Sequence, residues 1–168
     1  MNVMRIAKST RQWLLWTIAC GVLLVATTAV HAENCPWLNA ATAAGVLGGP
    51  VTMLVTHPNA TAVSCDFSRG GTGASLRIDV TTPEDAAAAF AKAAAKCGTE
   101  KRKLIGVGNE AVGCTLPESS STVEHVVGRV RGRIFVLHWT RMSNTPQSSE
   151  APVDTIQGVA EAVAGSMF

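Results

Sequence analysis

Hydrophobic and polar residues alternate most cleanly over positions 74–81, where Leu76, Ile78 and Val80 fall on one side and Ser75, Arg77 and Asp79 on the other. A period of two is the mark of a half-buried β-strand. Two strands are predicted before it. One covers 51–56 and ends at His57-Pro58-Asn59; the other covers 62–68, with Val63, Cys65 and Phe67 sharing a face. The Arg69-Gly70-Gly71-Thr72-Gly73 stretch joins the second strand to the third as a flexible turn. A hairpin is predicted further on, with strands over 122–130 and 133–141 around the turn Arg131-Gly132. That register sets His125 opposite His138, on one face with Val127, Arg129, Ile134 and Val136. Phe135, Leu137 and Trp139 share the other face with Val126 and Val130.

Helical spacing appears three times. Asn39 caps a short helix that carries Ala40, Ala43, Ala44 and Leu47 and stops at Gly48-Gly49-Pro50. A capping Thr82 followed by Pro83, Glu84 and Asp85 predicts a second, alanine-rich helix that runs to about Cys97 and stops at Gly98. Pro152 opens a third, with Val153, Ile156, Ala160, Val163 and Met167 along one side. With a short strand around 111–115, the order is α-β-β-β-α-β-β-β-α. This is an α+β domain with helices packed on an antiparallel or mixed sheet. The two halves have a similar order of elements, but no residue-level repeat accompanies it.

Charge and composition change this picture mainly at the N-terminus. Arg5, Lys8 and Arg11 precede an apolar run over 13–30, and Val30-His31-Ala32 has the small-x-small form of a cleavage site. Residues 1–32 therefore read as a signal peptide, and 33–168 as a single exported domain, periplasmic or secreted. The run is long enough that an uncleaved anchor over 13–30 is the alternative. Cys20 lies in a poor lipobox, Thr17-Ile18-Ala19-Cys20, which argues against a lipoprotein. Without the leader's three cations, eleven basic residues face twelve acidic ones, a net charge of −1. Nothing in that balance favours nucleic acid, and membrane contact is expected only through an uncleaved N-terminal segment. Lys101, Arg102 and Lys103 read as a solvated loop that slightly favours an anionic partner.

The exported region keeps Cys35, Cys65, Cys97 and Cys114, an even set in a compartment where disulfides persist. Four cysteines permit three connectivities. Joining chain neighbours, Cys35 with Cys65 and Cys97 with Cys114, staples a helix to an adjacent strand in each case and is the expected pairing.

Cys35-Pro36-Trp37-Leu38, the alanine-rich helix ending in Leu47-Gly48, Cys65-Asp66-Phe67 and Gly106-Val107-Gly108-Asn109-Glu110-Ala111 before a hairpin and a final helix together resemble small exported bacterial domains of unknown function, many of them secreted proteins or envelope lipoproteins. The resemblance covers most of the exported region. It implies an α+β fold and an envelope address, and it brings no catalytic residues.

Gly106-x-Gly108-x-x-Ala111 formally matches a dinucleotide fingerprint, but no helix follows it and too little chain remains for a doubly wound sheet. It is read instead as a turn that returns Cys114 to Cys97. Two facing imidazoles supply half of a metal site or a pH-sensitive pair, so His125 and His138 are the candidate metal ligands, with a half-exposed structural pair as the plainer reading. No nucleophile elbow, His-Glu-x-x-His motif or persuasive carboxylate pair is present. The expectation is a non-enzymatic domain, without a cofactor, that binds a protein partner or small ligand in the cell envelope. The alternative is an envelope metal-handling protein or enzyme using the His125/His138 face.

Overall fold

The computed structural model describes residues 34–142 and 152–168. The leader and the polar loop after residue 142 lie outside the described residues. Among the described residues three α-helices and one seven-stranded antiparallel sheet make the α+β domain that the sequence predicts. The elements are α1 (Ala40–Leu47), β1 (Thr52–Asn59), β2 (Ala62–Ser68), β3 (Ser75–Thr81), α2 (Ala86–Ala94), β4 (Arg102–Lys103), β5 (Glu110–Pro117), β6 (Ser121–Val130), β7 (Arg133–Met142) and α3 (Pro152–Gly165). The strand order is β1-β2-β3-β7-β6-β5-β4.

Alternation gives the sheet two faces. On the first, Cys65, Phe67, Leu76, Ile78, Val80, Val126, Val130, Phe135, Leu137 and Trp139 join one apolar cluster with α1 (Ala43, Leu47) and α3 (Ile156, Val159, Ala160, Val163). Phe135 is fully buried and pairs across the strands with Gly128. A Cβ at position 128 would overlap the Phe135 ring, so glycine makes room for the aromatic side chain. On the second face α2 is the one helix among the described residues that lies over β6 and β7, and Cys97, in the 3-10 turn that follows it, reaches Cys114 of β5.

Both disulfides have the expected pairing, Cys35–Cys65 and Cys97–Cys114, with Cα separations of 5.8 and 5.6 Å. They tie one element to each face and mark an oxidising environment. Duplication of the halves fails on geometry. Two antiparallel meanders superpose only by rotation about the sheet normal, which keeps faces, yet α1 and α2 lie on opposite faces.

Several boundaries differ from expectation. The cap of α2 is Asp85, not Thr82: its carboxylate accepts from the N–H groups of Ala87 and Ala88, while the Thr82 N–H donates to the Thr61 carbonyl and continues the extended chain. An ionised carboxylate at the positive end of the helix outcompetes a hydroxyl there. β1 runs on through Pro58, which an edge strand tolerates, with an irregular register between Thr56 and Asn59. Arg102 and Lys103 are not loop residues; they form β4, paired with Gly113 and Val112, because the glycine turn folds them back onto β5.

That turn is architectural. Gly106 and Gly108 have φ of 84° and 59°, and a Cβ on Gly108 would come within 2.6 Å of the Arg129 carbonyl oxygen. The Asn109 N–H donates to that same carbonyl, and its side-chain oxygen accepts from the N–H of Arg131, itself at φ 55°. The glycine stretch thus clamps the β6–β7 turn as well as returning Cys114 to Cys97.

Candidate functional site

The register that sets His125 against His138 is present. Their Nδ1 atoms lie 3.4 Å apart and the ring centroids 4.7 Å apart. His125 sits under α2 and is fully buried; His138, one strand nearer the centre of the sheet, is half-buried. Burial pushes His125 down from 6.5 to about 4, with repulsion from His138 and Lys96 adding to it and the Ala93 carbonyl opposing it. Burial also lowers His138, against the pull of Asp79. Both rings are neutral near pH 7, so one can donate and the other accept. Among the described residues no group of three His, Cys, Asp or Glu side chains is placed to hold a metal ion. The pair is more enclosed than half-exposed strands suggest, because a helix crosses it.

Beside His138 the second face turns polar. Ser64 donates to Asp79, and the Arg77 Nε lies 3.0 and 2.9 Å from the two Asp79 oxygens. Burial alone would raise the Asp79 carboxyl, but these donors outweigh it and hold it below the usual carboxylate range. Arg77 also reaches Asp66 at 3.6 Å.

A second charged cluster was not singled out from the sequence. Glu124, 4% exposed, accepts from the Thr115 hydroxyl at 3.0 Å and lies between Arg102 (3.5 Å) and Arg141 (3.4 Å), with the Arg141 guanidinium 4.8 Å from the Trp139 ring centroid. The signal was a glutamate on the apolar side of a strand, at the same parity as Val126 and Val130. Such a position requires a cationic partner from elsewhere.

Open clefts lie elsewhere, among them one of about 370 Å³ lined by Pro36, Trp37, Asn39 and Thr42. A cleft of about 250 Å³ between α2 and the β4–β5 hairpin is lined by Phe90, Lys101, Lys103, Glu110, Ala111 and Val112. Phe90 and Val112 give it an apolar floor. Glu110 is engaged by the Arg129 Nε at 2.6 Å, which leaves the two lysines as the net charge of the rim. Nothing in the periodicity foretold this cleft; only the basic trio over 101–103 hinted at it, and the pairing of β4 turns alternate members of that trio toward the helix.

No protein-family model, curated protein or solved structure matches the chain. Among the described residues no helix is long and apolar enough to cross a membrane.

Proposed function

We propose that the chain is an exported, non-enzymatic binding domain of the cell envelope whose ligand is a small anion with an apolar body. The observation that carries this reading is the cleft, where Phe90 and Val112 form the floor and Lys101 and Lys103 stand at the rim. Desolvation of an acyl or aryl group against the floor supplies affinity, and a charge-assisted bond to either lysine sets orientation. Export is supported by the leader-like residues 1–32 and by the two disulfides. Hexanoate is a suitable probe. In an amide-resolved NMR titration it shifts Phe90, Glu110 and Val112, hexanol binds about tenfold more weakly, and the double change Lys101→Ala/Lys103→Ala loses a similar factor. A hexanoate titration that moves none of these amides overturns the reading.

One observation favours a second reading. The 3.4 Å between the imidazole nitrogens is close to the roughly 3.3 Å that two ligands span around a tetrahedral zinc ion with bonds of about 2.0–2.1 Å. A single N–H···N bond accounts for the same contact without an ion and requires no further ligands. Equilibrium dialysis at pH 7.5 separates the two: retained zinc that is lost in His138→Ala supports the metal site, and no retention leaves the hydrogen-bonded pair.

A further inference from the structure

Among the described residues the most exposed large apolar side chain is Ile105, at 80%, followed by Phe168 at 64%. Both lie at the end of the sheet that carries the β6–β7 turn. Ile105 opens the glycine stretch whose Asn109 side chain accepts from the Arg131 N–H, and the Phe168 ring centroid is 5.4 Å from the Arg131 guanidinium carbon. Ile105 is held outward, because Leu104 and Val107 on either side of it belong to the apolar cluster and Gly106 and Gly108 turn the chain at positive φ. Its carbonyl is held too, by the Gln157 side chain at 3.4 Å.

Cations surround these two side chains. Lys103 stands two residues before Ile105, and Arg131 and Arg133 flank Gly132 in the turn; all three are exposed, and among the described residues none has an acidic partner. Glu110 is taken up by Arg129, which leaves the three cations against Glu161, itself bound to Gln157. The net charge of −1 over the exported region conceals this local excess.

We propose that this end of the domain rests on an anionic lipid surface, with Ile105 entering the interface and Lys103, Arg131 and Arg133 against headgroup phosphates. Single exposed apolar residues need no explanation, but two of them among unpaired cations have the chemistry by which a peripheral domain holds an acidic bilayer. The apolar side chains supply insertion, and each cation adds an electrostatic increment. An acidic protein would meet the same charges, and the course of the chain decides for lipid. Residue 34 is the first described, and three residues on the Trp37 ring centroid lies 5.8 Å from the Arg133 guanidinium carbon. The chain therefore enters the domain at this end, and the apolar run of the leader stops at residue 30, seven residues before Trp37. Seven extended residues reach at most about 25 Å, so while a bilayer holds that run, this end is kept next to lipid.

None of Ile105, Arg131 and Arg133 lines the cleft beside Phe90, so failure of one proposal leaves the other standing. The test is flotation of the disulfide-bonded protein, collected after export, with vesicles of equal parts phosphatidylglycerol and phosphatidylcholine. The protein floats with them at roughly 50 mM salt, binds phosphatidylcholine alone at least tenfold more weakly, and is released by roughly 300 mM salt. Ile105→Ser weakens binding about tenfold, and Arg131→Gln/Arg133→Gln by about tenfold or more. Leu54→Ser, a comparable loss of exposed apolar surface on β1, changes nothing. The replaced side chains are exposed, so the variants fold, which circular dichroism and intact disulfides verify. No flotation with the anionic vesicles overturns the proposal and leaves this end to an acidic protein. Equal binding to both vesicles, or binding that Ile105→Ser and the double variant leave intact, also overturns it and assigns membrane contact to the leader.

Discussion

The two faces of the sheet are held by different physics. The first is mainly apolar: α1 and α3 cover a single cluster, with Phe67, Phe135, Leu76, Ile78 and Leu137 fully buried within it, and its charges gather in the Glu124–Arg102–Arg141 group. The second carries one short helix, a disulfide, a buried imidazole and the Ser64–Arg77–Asp79 network. Burial of apolar area is indifferent to pH, whereas a neutral imidazole under a helix is not. Global stability is therefore expected to reside mainly on the first face, and sensitivity to conditions on the second.

The largest effect is expected from Phe135→Ala. The ring fills space that Gly128 leaves empty, so truncation opens a cavity that neighbouring strands cannot close. The loss is about 3–5 kcal/mol in chemical denaturation at pH 7.5. The dependence of stability on pH stays as in the parent protein, because the residues paired with Phe135, Val80 and Gly128, do not titrate. A changed pH profile would break the separation between the faces.

The second face is tested by acid. His125 has a folded value of about 4 against 6.5 when unfolded, so between those limits the unfolded chain binds more protons. Stability is complete above about pH 6.5 and declines as pH falls toward 4, by about 3 kcal/mol at most. His138 acts in the same direction. Asp79, lowered from 3.8, adds a loss of its own only below that value. Urea unfolding at pH 7.5 and 4.5 measures the decline. Replacing both histidines by leucine flattens it; an equal decline in that variant would move its source elsewhere.

Much of this contrast could be read in the sequence. Alternation around Leu76, Phe135 and Val126 defines the apolar face, and the Arg131-Gly132 turn fixes the register that brings His125 to His138. The cysteine spacing led to the observed pairing because each bridge joins chain neighbours. What alternation does not carry is which face a crossing helix takes. The burial of His125, the order in which β3 meets β7 and the cleft beside Phe90 all follow from α2 passing over β7 and β6 toward the far edge. The Glu124–Arg102–Arg141 cluster was hidden for a related reason, since its members come from three strands. The Asp85 cap was obscured by Thr82-Pro83, a start signal three residues too early.

The smallest effect sharpens the comparison most, because it acts on one helix only. Asp85 satisfies two N–H groups of α2, and Asn39 satisfies one of α1. Asp85→Ala is expected to cost about 1 kcal/mol, and Asn39→Ala a similar amount. The two costs should appear in different places. α2 has few fully buried residues of its own, so losing its cap lets it open locally, exposing His125 while the apolar cluster stays closed. Amides of α2 then exchange about fivefold faster, and the acid decline in global stability becomes shallower, since an open α2 lets His125 take up its proton without global unfolding and so narrows the gap between its folded and unfolded values. Asn39→Ala leaves α2 exchange and the acid profile unchanged, because α1 lies on the other face. If both variants speed α2 exchange equally, the two faces unfold as one cooperative unit, and the division of labour between them lies in chemistry alone.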